Sequence, residues 1–60
     1  MTLPATPEVT AEEALANAAR LLQAAEMETD LARMERYEKL ADSWISYAAM
    51  LTQRERLARD

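Results

Sequence analysis

Apolar and polar residues along this chain follow a helical period in two stretches separated by a short polar break. In the first stretch, Ala11, Leu15, Ala18, Leu22 and Ala25 recur at steps of four and three, with Ala14, Ala19 and Leu21 widening the stripe. The pattern lapses at Glu28, Thr29 and Asp30, where Thr29 or Asp30 can cap a second helix whose first turn begins at Leu31. The expected elements are therefore an extended lead-in over 1–9, a helix over 11–27, a turn over 28–30 and a helix over about 31–58, the last three forming one helical-hairpin domain over 10–60. Because residues 27–31 contain no glycine or proline, a single long helix is the competing arrangement. The cap and the change of apolar phase across the break favour the hairpin.

The start of the first helix carries its own signal. Thr10 and Glu13 have the spacing of a capping box, in which the threonine hydroxyl accepts the Glu13 amide and the Glu13 carboxylate reaches back to the Thr10 amide. A start one turn earlier, with Thr6 as cap and Pro7 at the first helical position, is the alternative.

Helix length then shapes the packing expectation. At about 1.5 Å per residue the second helix is roughly 42 Å long and the first roughly 26 Å. Folded antiparallel from the turn, Leu22 falls beside Tyr37, Ala18 and Ala19 face Leu40 and Ala41, and Leu15 meets Trp44. The expected core is thus Leu15, Ala18, Leu22, Leu40, Ala41 and Trp44. Residues beyond about Tyr47 should overhang, including Ala48, Met50, Leu51 and Leu57, with only Leu3 and Val9 of the lead-in to cover them. The middle of the second helix presents Tyr37, Leu40, Ala41, Trp44, Ile45, Tyr47, Ala48 and Leu51 over about 160° of its circumference, wider than one partner helix covers. The candidate interface residues are Tyr37, Ile45, Tyr47, Ala48, Met50, Leu51 and Leu57. A charged residue in place of Leu51 is expected to dissociate the assembly and lower helicity together.

Composition sharpens this picture. Sixty residues make one small domain, and at that size folding buries only about 60% of the surface the unfolded chain exposes. The chain has no cysteine and no histidine, so disulfides and the usual zinc sets are not options for stabilising it. Oligomerisation is. With no glycine, and with both prolines at Pro4 and Pro7, helix is favoured throughout. No apolar run approaches the roughly 20 residues needed to span a bilayer, and the first ten residues lack the basic flank and apolar stretch of a secretory signal, so a cytoplasmic protein is expected.

The net charge of −4 argues against a dedicated nucleic-acid binder. Acidic Glu12, Glu13 and Asp30 stand at helix starts and basic Arg54, Arg56 and Arg59 at a helix end, which suits the helix dipole. Glu35 with Lys39, and Glu55 with Arg59, are spaced as exposed ion pairs. Glu35, Glu38 and Asp42 form an acidic stripe, read as a solvated face because one helix supplies too few converging oxygens for a hard cation.

Catalytic chemistry finds little support. Without histidine or cysteine, Ser43 and Ser46 have no evident activating base. Glu35 and Glu38 share the spacing of a di-iron motif but lack its histidine. The absence of glycine removes the common phosphate-cradling loops. The expectation is a protein that is not an enzyme, with no catalytic, metal or cofactor residues.

The stretch 25–49, with its Glu28, Thr29, Asp30 break followed by Tyr37, Leu40, Ala41, Trp44 and Ala48, resembles short helical-hairpin proteins common in bacteria, which carry no agreed activity. The resemblance implies a bacterial helical hairpin and assigns no functional residue. The resulting expectation is a homodimer in which two hairpins form a four-helix bundle, serving as a small adaptor, regulatory or accessory protein. The alternative is an acidic, antitoxin-like or nucleic-acid-linked regulator that neutralises a basic partner. A third arrangement has the wide face accept a helix from a different protein.

Overall fold

The computed structural model describes residues 9–59, and these form two α-helices packed against each other. Helix α1 spans Ala11–Met27 and helix α2 spans Leu31–Arg59. Leu3 and most of the expected lead-in lie outside the described residues.

Both helix starts are set by local hydrogen bonds. Thr10 is extended at φ −84° and ψ 162°, and its Oγ1 accepts the Glu13 amide at 3.1 Å, satisfying one of the donors a helix N-terminus leaves open. The carboxylate at this end is that of Glu55, not Glu13: its Oε2 accepts the Ala11 amide at 3.0 Å, from 44 residues away in sequence. A negative group at the positive end of α1 is favourable, so this bond ties the far part of α2 to the start of α1. Glu55, expected to pair with Arg59, therefore has a tertiary partner.

The turn explains why no long single helix forms. Glu28 leaves α1 in an ordinary extended conformation, at φ −84° and ψ 132°, and its amide still reaches the Ala25 carbonyl at 3.3 Å. No described residue has a positive φ, so this reversal requires no glycine. Asp30 then restarts the helix: its Oδ1 accepts the Ala32 amide at 2.9 Å, while its carbonyl accepts the Met34 amide at 2.9 Å. Glu28 Oε1 accepts the Asp30 amide at 3.1 Å and braces the turn. A short acidic side chain that bonds its neighbouring backbone competes directly with helix continuation. Replacing Asp30 with alanine should cost about 0.5–2 kcal/mol, the usual value of an N-cap, and thermal unfolding followed by circular dichroism measures it. A variant as stable as the parent would show that the turn is held by packing alone.

Packing follows a seam of small residues. The buried side chains among the described residues are Ala11, Ala14, Ala18 and Ala25 of α1 with Ala41, Ala48 and Leu51 of α2. These positions recur at steps of three, four and seven along α1 and of seven and three along α2, which keeps one narrow stripe facing the partner. Alanine at most of the seam lets the helix axes approach at the close end of the usual ~8–10 Å range. Leu51 packs with Ala11, Ala14 and Ala48, and Val9 and Trp44 close over this cluster.

The expected overhang is corrected here. Ala48 and Leu51 are covered by the first turn of α1 and by Val9, so the unpaired part of α2 begins only after Glu55. Helix rise alone would bring Ala11 level with about Tyr47. In the structure Ala11 packs with Ala48 and Leu51, a little further along α2, and side chains that lean toward their helix N-terminus let Glu55 reach the Ala11 amide.

Candidate association surfaces

Because the seam is so narrow, the large apolar side chains lie beside it. Of the expected core, Ala18 and Ala41 are buried and Trp44 is half-buried, but Leu15, Leu22 and Leu40 are 52%, 42% and 51% exposed. The three leucines sit one position off the contact stripe, where a two-helix arrangement covers only one side of each. Of the expected interface, Ala48 and Leu51 belong to the hairpin core, Tyr37 is half-buried, and Ile45, Tyr47, Met50 and Leu57 are exposed. A charge at Leu51 would consequently break the hairpin itself and report nothing separate about association.

Leu40 and Tyr47 lie on one side of the seam and Leu15, Leu22 and Ile45 on the other, while Met50 and Leu57 sit on the outer side of α2 and Met27 and Leu31 beside the turn. At about 100° per residue, Leu40 and Tyr47 lie to one side of the buried stripe of α2, and Glu38 and Ile45 to the other. Residues that line common grooves connect these sides across the two helices.

The first face is aromatic and basic at its rim. Leu40, Ser43, Trp44 and Tyr47 line one shallow depression, and Arg33, Arg36, Tyr37 and Leu40 line the next. Trp44 continues onto α1, where it shares a depression with Asn17, Arg20 and Leu21. The Trp44 and Tyr47 rings lie 6.0 Å apart at 56°, a tilted pairing that aromatic quadrupoles favour. Arg20 donates through Nη2 to Asn17 Oδ1, which directs its guanidinium along α1 toward this face.

The second face is aliphatic and acidic at its rim. Leu22, Ala25 and Met34 form the floor of a groove between the helices, bordered by Glu26, Glu38 and Asp42. Leu15 and Ile45 lie on the same side of the seam further from the turn. The acidic stripe of α2 thus splits across space: Glu38 and Asp42 border this groove together with Glu26 of α1. Among the described residues, no group of three or more acidic side chains is spaced to hold a metal ion. Nor is any described helix long and apolar enough to cross a membrane.

Sequence reasoning did not single out Arg20, Arg33, Arg36 or Glu26. Their helical positions relative to the seam carry the signal, but that signal is readable only once the seam is known. The geometry of the described residues offers two non-polar surfaces with opposite charged rims. No protein-family model matches this chain, and neither does any curated protein or solved structure.

Proposed function

We propose that this chain is a non-enzymatic protein–protein association module that acts as a homo-oligomer, with two hairpins packing as four helices in its basic unit. The observation that carries this reading is the inversion of the usual burial pattern. Alanines fill most of the seam, while Leu15, Leu22, Leu40, Ile45 and Tyr47 remain outside it. A large apolar side chain contributes about 1.5–3 kcal/mol when fully buried and an alanine far less, so a lone hairpin forgoes most of its available hydrophobic stabilisation. Covering the flanking residues with a second hairpin recovers it, and a four-helix arrangement is the common solution for helix pairs of this kind. A small adaptor, regulatory or accessory role in a bacterial cytoplasm belongs to the same proposal.

Light scattering coupled to size exclusion tests the reading on the full chain at micromolar concentrations. The expected result is a mass above that of the 6.8 kDa chain, with a thermal midpoint that rises with protein concentration. Leu40→Gln together with Tyr47→Gln should weaken association by roughly a hundredfold, about tenfold per half-covered side chain lost, while helicity at high concentration is retained. A folded monomer with a concentration-independent midpoint would overturn the proposal.

A second reading draws on the groove bordered by Glu26, Glu38 and Asp42. An acidic rim around an apolar floor suits a basic amphipathic helix, as a regulator that neutralises a basic partner would require. It is distinguished by monomers that gain helicity only when such a partner is added.

A further inference from the structure

The two faces differ in charge as well as in position. Arg20, Arg33 and Arg36 border the aromatic face, and Glu26, Glu38 and Asp42 border the aliphatic groove. Resting on the self-association reading above, we propose that copies of this chain associate head to tail, the acid-rimmed groove of one hairpin seating the arginine-rimmed aromatic face of the next. The occupant of the groove is a second copy because the chain itself displays the complementary surface.

Like-with-like packing works against the charges. Two aromatic faces brought together by a twofold axis set arginine rims against each other, and two grooves do the same with carboxylates. Like charges juxtaposed at an interface repel and suppress the contact, whereas opposite rims attract and fix the register. Glu13 and Glu28 lie on the same side of α1 as this face, but with Arg54 on the same side of α2 four arginines, Arg20, Arg33, Arg36 and Arg54, outnumber them. Both surfaces also offer apolar area to cover: Leu22, Ala25 and Met34 line the groove with small and adaptable side chains, and Leu40, Trp44 and Tyr47 line a shallow aromatic surface.

Such a contact uses different surfaces on the two partners. Each copy keeps one unused face after the first contact, so assembly continues into a ring or an open stack instead of closing at two. The attraction between rims should be screened as salt approaches 0.5 M, where the Debye length falls to about 4 Å.

Charge exchange on the full chain provides the test. One variant carries Glu38→Lys and Asp42→Lys, the other Arg33→Glu and Arg36→Glu; all four positions are exposed, so helicity should be kept. Sedimentation velocity of the parent chain should show mass growing past the dimer with concentration and shrinking at high salt. Each variant alone should associate more than about tenfold more weakly than the parent. Mixed in equal amounts they should recover assembly, because every contact between unlike variants again joins opposite rims. A dimer of constant mass, or a mixture that fails to recover, would overturn head-to-tail packing while leaving self-association in place. A parent chain that is monomeric at every concentration would overturn both. A monomer that instead binds an arginine-rich amphipathic helical peptide would assign the groove to a foreign basic helix.

Discussion

Leu51→Ala should unfold the isolated hairpin. Leu51 is 3% exposed and is the largest side chain in the buried seam, where it holds together Ala11, Ala14 and Ala48. Removing a buried leucine costs about 2–5 kcal/mol, from lost transfer free energy and from the cavity left behind. A domain of 60 residues sits at or below the low end of the usual ~5–15 kcal/mol of stability, so the loss is comparable to the whole. Urea unfolding followed by circular dichroism should show the helical signal lost or its midpoint strongly reduced. Leu57→Ala is the control, since Leu57 is 69% exposed beyond the end of α1 and surface changes of that kind stay within about 0.5 kcal/mol. Equal effects of the two substitutions would mean that the seam does not run through Leu51.

The second large effect is of the opposite kind. Ala41 is fully buried on the seam, and Ala41→Leu inserts a bulky side chain where a two-helix contact leaves little room. Overpacking of this sort costs about 1–3 kcal/mol, even though leucine is more apolar than alanine and nearly as good a helix former. Ala16→Leu provides the comparison, because Ala16 is exposed on the outer side of α1. Thermal midpoints at one fixed protein concentration should fall for Ala41→Leu and hold for Ala16→Leu. A stabilised Ala41→Leu chain would show that the helices are free to move apart and that the alanine seam does not set their spacing.

These two substitutions bear on what kind of protein the hairpin is. A seam of alanines places the helices close together but supplies little hydrophobic stabilisation of its own. The residues that would supply it flank the seam on both sides. Stability and association are therefore coupled, and changes at Leu40 or Tyr47 should act on the oligomer where changes at Leu51 or Ala41 act on the hairpin.

Much of the fold was legible along the chain because local chemistry set it. Thr10 has the spacing of an N-cap and makes that bond to the Glu13 amide. Asp30 can bond the backbone two residues on, and it does so to Ala32, ending the possibility of one continuous helix. The absence of glycine and the placement of both prolines before Thr10 leave helix as the natural state of the rest. These features involve residues within four positions of each other, so sequence alone displays both partners.

The choice of seam was different in kind. Along α1 the steps Ala11, Leu15, Ala18, Leu22, Ala25 and the steps Ala11, Ala14, Ala18, Leu21, Ala25 are equally helical, and they share three alanines. Side-chain size favours burying the leucines of the first series. The structure buries the alanines of the second and leaves Leu15 and Leu22 half open, because two helices meet along a line and the positions on that line have the least room. The same steric rule takes Ala41 and Ala48 onto the line and leaves Leu40 at its edge, and Leu51 is accommodated where it faces the small Ala11 and Ala14. Glu55 shows the point from the polar side, since its bond to Ala11 joins residues that only the antiparallel register brings together. Local chemistry is enough to set the two helices, the Thr10 and Asp30 caps and the surplus of apolar side chains. Tertiary packing decided which residues the helices share, and with that line drawn, which face carries the arginines and which the carboxylates.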